Sequence, residues 1–95
     1  MKAGPFSIGS TCWNGLSKFV EETGEALQLL GKLIATGGNP KHWDGSDLRA
    51  RLEEETADVI AAATYFARKN LDGERVGARV AEKLAQFQAW DEEQR

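Results

Sequence analysis

Seven of the fifteen acidic residues fall in two short clusters, Glu21, Glu22 and Glu25 in one and Glu53, Glu54, Glu55 and Asp58 in the other. The clusters share a pattern. Glu21-Glu22-Thr23-Gly24-Glu25 and Glu54-Glu55-Thr56-Ala57-Asp58 are displaced by 33 residues, with Lys18 and Arg51, then Phe19 and Leu52, aligned in front of them. On a helix, positions i and i+3 project from one face, so Glu22 pairs with Glu25 and Glu55 with Asp58. Each pair is repulsive by itself. If the two helices pack antiparallel, four carboxylates meet, and divalent cations are the simplest means of neutralising them. An all-oxygen ligand set favours Mg²⁺, with Mn²⁺ also possible, over Zn²⁺. Ions held in this way can grip a polyphosphate, polarise its oxygens and position an attacking water. His42 is the only histidine, which excludes a Zn²⁺ site or a di-iron site built on two E-x-x-H motifs within one chain.

Acidic runs on helices are usually solvated faces. Two features argue against that reading here. Glu22 and Glu25 flank the line of Trp13, Leu16, Val20 and Leu27, and Glu55 and Asp58 border Leu48, Leu52 and Val59. Neither acidic core has a Lys or Arg interleaved within it.

The elements that would position these groups follow from hydrophobic spacing. Residues 1–11 hold Gly, Pro and Ser without a period and read as an irregular arm. Apolar residues at helical spacing from Cys12 to Ala35 predict a first helix, ended by Thr36-Gly37-Gly38-Asn39-Pro40. Ser46 or Asp47 can cap a second helix running to about Asn70, and Asp72-Gly73 marks the next turn. A third helix from about Glu74 shows Val76, Val80, Leu84 and Phe87 on one face and ends at Trp90. The helical domain is therefore 12–90, followed by a charged tail, 91–95.

No period-two alternation of strand-forming residues occurs, so the fold class is all-α. Helices of roughly 24, 24 and 17 residues would measure about 36, 36 and 25 Å. Such rods are long for a chain of 95 residues. The expectation is an antiparallel helical bundle completed by oligomerisation, as a homodimer or homotetramer.

The two acidic clusters in this setting resemble a known family. E-x-x-E followed after about 29 residues by E-x-x-D, with extra Glu in front, is similar to the all-α nucleoside triphosphate pyrophosphohydrolases of the MazG type. Glu22-Thr23-Gly24-Glu25 and Glu55-Thr56-Ala57-Asp58 match that signature, and the likeness covers roughly residues 13–90. It implies a Mg²⁺-dependent enzyme that cleaves a nucleoside triphosphate between the α and β phosphates, giving the monophosphate and pyrophosphate. Glu22, Glu25, Glu55 and Asp58 would then be metal ligands, and Glu21 and Glu54 candidates for supporting them or activating water. Family members often carry a Lys on the third helix followed four residues later by Asn. Lys83 matches the Lys, and Phe87 replaces the Asn. dUTP, dCTP or phosphoribosyl-ATP are alternative substrates for the same site. A helical interaction module that pairs its acids with a basic partner is the reading from another class.

Outside the motif, Lys18 and Lys32 share the helix of Glu22 and Glu25 and are candidate phosphate contacts. Trp13, Asn14, His42 and Trp43 could stack on or hydrogen-bond a base. Trp13 falls on the apolar stripe and reads as core, whereas Trp43 lies in a loop and is the better binding candidate. Gly24 and Gly31 share a helical face and predict close helix approach. Cys12 is the only cysteine, reads as structural, and allows no intrachain disulfide, in keeping with a reducing cytoplasm. A net charge of −3 gives no basic surface for nucleic acid. The longest apolar run, Val59 to Ala63, is far short of the roughly 20 residues that span a bilayer.

Overall fold

The computed structural model describes residues 13–41 and 47–94. They form three helices, α1 (Leu16–Ala35), α2 (Leu48–Asn70) and α3 (Gly73–Glu93), and the only β feature among the described residues is an isolated bridge between Lys41 and Asp47. The all-α expectation is met. The expected arm 1–11, His42 and Trp43 lie outside the described residues.

The boundaries show where local chemistry overrides hydrophobic spacing. α1 begins at Leu16 and not at Cys12, because Gly15 precedes it with φ of 91°, a left-handed conformation that cannot continue a helix backwards. That glycine is also sterically required, since a Cβ there would sit 2.9 Å from Cδ1 of Tyr65. α1 ends as expected. The N–H of Gly37 donates to Ile34 and that of Gly38 to Leu33, with both glycines at positive φ. Asp47 caps α2 by accepting from the N–H groups of Arg49 and Ala50, and Asp72 caps α3 through those of Glu74 and Arg75. With no breaker after Trp90, α3 continues to Glu93.

α1 and α2 pack antiparallel. The carbonyl of Asn14 accepts a hydrogen bond from Nδ2 of Asn70, and the Phe19 ring lies 5.4 Å from that of Phe66. At the other end the Leu48 N–H donates to the Pro40 carbonyl at 2.7 Å. Leu29 and Leu48, 2% and 0% exposed, are the fully buried hydrophobic side chains among the described residues. Trp13 stacks over Phe66 at 6.0 Å and stays partly exposed, so it closes the end of this small core.

α3 leaves the pair. It meets α2 only sparingly, has no contact with α1, and buries none of its residues. The radius of gyration is consequently 16.6 Å, against about 12 Å for a compact domain of this length. No helix among the described residues is long and apolar enough to cross a membrane.

Candidate metal centre

The antiparallel α1–α2 seam carries the two acidic clusters past one another. Ligand oxygens of Glu22, Glu25 and Glu55 lie within 4.8 Å of each other. Glu22 and Glu25 are one helical turn apart on α1, and Glu55 approaches from α2. Asp58 stands outside this trio but borders the adjoining cleft together with Glu22, and its charge is felt by both Glu22 and Glu55.

The electrostatics are those of a site with too much negative charge. Glu22 Oε2 and Glu55 Oε2 are buried without a hydrogen-bond partner. An orphaned, desolvated carboxylate oxygen is costly unless protonated or neutralised. Accordingly burial, followed by repulsion from Glu25 and Asp58, holds both carboxyls above their ordinary range. Arg51, one turn before Glu55, offsets part of this on α2. The donor set is oxygen only and two of its oxygens lack partners, which is the environment a hard divalent cation would satisfy. The residues fit such an ion.

Beside the carboxylates lies a cleft of roughly 480 Å³ lined by Gly15, Lys18, Glu22, Asp58, Ala62 and Tyr65, among others. Lys18 is the cation at its rim. Its Nζ donates to Glu21 at 3.0 Å, and that hydrogen bond, more than the charge itself, raises the lysine pKa. Glu21 therefore points toward Lys18, and Glu54 is exposed on α2.

The remaining candidates are not drawn together. Lys32 is exposed two turns beyond Glu25, about 10 Å along the axis. Lys83 sits on α3, where its Nζ donates to Gln86 at 3.0 Å, outside the carboxylate cleft. Among the described residues Gly24 and Gly31 meet no neighbour within 4 Å of where a Cβ would stand, so the expected close approach of another helix does not occur there.

Tyr65, Ala61, Ala62 and Gly15 line the cleft and were not anticipated from sequence. The signal was present for three of them: Asp58, Ala61, Ala62 and Tyr65 follow the i, i+3, i+4, i+7 rule of a single helical face. Comparison with protein-family models, with curated proteins and with solved structures gives no match to this chain.

Proposed function

We propose that this chain is a Mg²⁺-dependent nucleoside triphosphate pyrophosphohydrolase of MazG-like type, releasing (d)NMP and pyrophosphate from (d)NTP. The observation that carries the reading is the convergence of Glu22, Glu25 and Glu55 across two helices, with two of their oxygens buried and unpartnered. A solvated acidic face would leave every carboxylate oxygen in water.

In this reading Glu22, Glu25 and Glu55, with Asp58 beside them, hold Mg²⁺ or Mn²⁺. When bound, the metal supplies charge neutralisation for the triphosphate and polarises its oxygens. The cleft next to the carboxylates admits the substrate, with Lys18 at its rim to meet a phosphate and the Tyr65 ring as an apolar wall. Glu21 and Glu54 flank the ligands and are the candidates for orienting and deprotonating water. Lys32 and Lys83 are the more remote candidate substrate contacts, and Trp43 is a further candidate from the sequence. The chain contributes positioning and a dry, charged wall in place of a covalent nucleophile. It acts as a homodimer or homotetramer in the cytoplasm, with neither nucleic acid nor membrane as partner.

The test is pyrophosphate release from a mixed pool of NTPs and dNTPs, with and without Mg²⁺. Mg²⁺-dependent release supports the reading, and single-nucleotide assays that include dUTP, dCTP and phosphoribosyl-ATP then define the substrate. No release from any of them would leave the acidic seam as part of an interaction module.

A further inference from the structure

We propose that Ala62, with Ala61 and Gly15, is the size-determining wall of the carboxylate cleft. These small residues open one flank of the acidic seam to the sugar and base of a nucleotide, and bulkier residues at the equivalent positions close the other flank. The inference rests on the catalytic reading and adds to it the side on which the substrate enters and the residues that limit its size.

The two acidic segments are displaced by 33 residues, and their helices pack antiparallel. An approximate two-fold axis through the carboxylates therefore exchanges α1 with α2. The relation reaches beyond the acids. Phe19 and Phe66, whose rings lie 5.4 Å apart, correspond to Leu52 and Leu33, and all four are half-buried. A site built on such an axis has two flanks, and the same displacement gives the counterpart of each residue on either one.

The flanks are not alike. The cleft of roughly 480 Å³ lies on the flank of Glu22 and Asp58, where Gly15, Lys18, Ala61, Ala62 and Tyr65 complete its lining. On the other flank Leu48 stands for Gly15, Leu29 for Ala62, Gln28 for Ala61 and Glu25 for Asp58. At all four positions the cleft has the smaller side chain. Leu48 and Leu29 are 0% and 2% exposed, so the flank that carries them is filled. Core and cleft are thus the same place in two halves of one repeat, close-packed with leucine in one and emptied in the other.

The remaining differences serve the same end. Asp58, one methylene shorter than Glu25, stands back from the trio that Glu25 completes. Gly15 gives up its side-chain space to a ring, since a Cβ there would lie 2.9 Å from Cδ1 of Tyr65 and 3.2 Å from Cε1. Lys69 Nζ stands over the same ring, 5.6 Å from its centroid, and helps to hold it. Tyr65 takes the place of Lys32 and gives the cleft an apolar end, while Lys18 and the two carboxylates give it a charged one. A ligand that matches both ends has a metal-chelating phosphate chain and a flat apolar group. Ala61 and Ala62 lie between those ends along α2, where the sugar joins them.

Ala62→Leu restores the side chain of the closed flank. Gly15 is unsuited to the same test, because its φ of 91° strains any side chain. Ala61→Gln, at an exposed position, is the second variant. Calorimetric titrations with Mn²⁺ alone, and then with α,β-imido deoxynucleoside triphosphates or inorganic tripolyphosphate in the presence of Mn²⁺, separate the roles. Ala62→Leu should bind Mn²⁺ and tripolyphosphate within about twofold of wild type. It should weaken the best-bound deoxynucleotide analogue by roughly 30-fold or more, the scale that extra methylenes exert in a fitted pocket. Ala61→Gln should act in the same direction and by less. Unchanged nucleotide affinity in both variants, equal losses of tripolyphosphate and nucleotide, or loss of Mn²⁺ binding in both would overturn the proposal. A wild-type chain that binds no Mn²⁺ overturns the metal-dependent reading beneath it. A wild-type chain that binds Mn²⁺ and tripolyphosphate but no nucleotide analogue overturns the size-determining wall alone.

Discussion

α1 and α2 on one side and α3 on the other are helices of nearly equal length, 20 and 23 residues against 21, yet they use their sequences in opposite ways. The α1–α2 seam buries Leu29 and Leu48 and then places Glu22, Glu25 and Glu55 along the same contact. α3 carries an apolar stripe too, and among the described residues that stripe is left exposed. The pair that forms the core gives up packing positions to mutually repelling acids, and α3 meets the other described residues only sparingly. Local rules broken inside a packed seam are the usual mark of a site, and a local rule obeyed without reward is the mark of a missing neighbour.

The largest test of this contrast is chemical. Glu55→Gln and Asp58→Asn should each reduce Mg²⁺-dependent pyrophosphate release by about 100-fold or more, beyond the roughly 10–100-fold typical of losing an outer partner of a metal ligand. Glu53→Gln, in the same acidic run but outside the trio, should stay within about twofold of wild type, as surface changes away from a site generally do. Equal losses at Glu53 and Glu55 would mean that net acidity, and not the seam geometry, matters.

The stability counterpart compares buried leucines with exposed ones. Leu48→Ala should cost about 2–5 kcal/mol by removing a fully enclosed side chain, measured by urea denaturation. Leu84→Ala, at a side chain 63% exposed, should stay within about 0.5 kcal/mol of wild type in the same measurement. A concentration-independent loss of several kcal/mol at Leu84 would place α3 in a core of the single chain.

Much of this organisation was legible in the sequence. The three helices, both Asp caps and the glycine stop after α1 follow from patterns that local chemistry enforces. The approach of the acidic clusters was readable because two E-E-T-x-acid segments at helical spacing meet when their helices pack antiparallel, and Glu22, Glu25 and Glu55 do so. Gly15 was not legible as a boundary, since the ring that leaves no room for a side chain there belongs to Tyr65, fifty residues away in sequence. The half-exposure of Trp13 was likewise hidden: its place on the apolar stripe is real, but Val20, Leu27, Leu30 and Ile34 of the same stripe are exposed as well. Nor could spacing reveal that Lys83 sits on a helix that turns away from the carboxylates.

The raised carboxyls of Glu22 and Glu55 give the seam a pH signature. Between the ordinary glutamate range and the raised folded values, the folded chain binds more protons than the unfolded chain, so metal-free stability should fall as pH rises through that window. Excess Mg²⁺ should flatten the slope by neutralising the same oxygens. Denaturation midpoints at several pH values, in chelator and in Mg²⁺, check this, and an identical slope in both conditions would count against a metal in the seam.

The smallest effect sharpens the comparison within α1. Gly24 and Gly31 each weaken the helix relative to Ala, and among the described residues no atom comes within 4 Å of where their methyl groups would stand. Gly31→Ala should therefore stabilise the fold by about 0.5–1 kcal/mol, with turnover unchanged, and Gly24→Ala by a similar amount. Both are read from thermal or urea melts. If either substitution destabilises instead, a surface outside the described residues approaches α1 at that glycine.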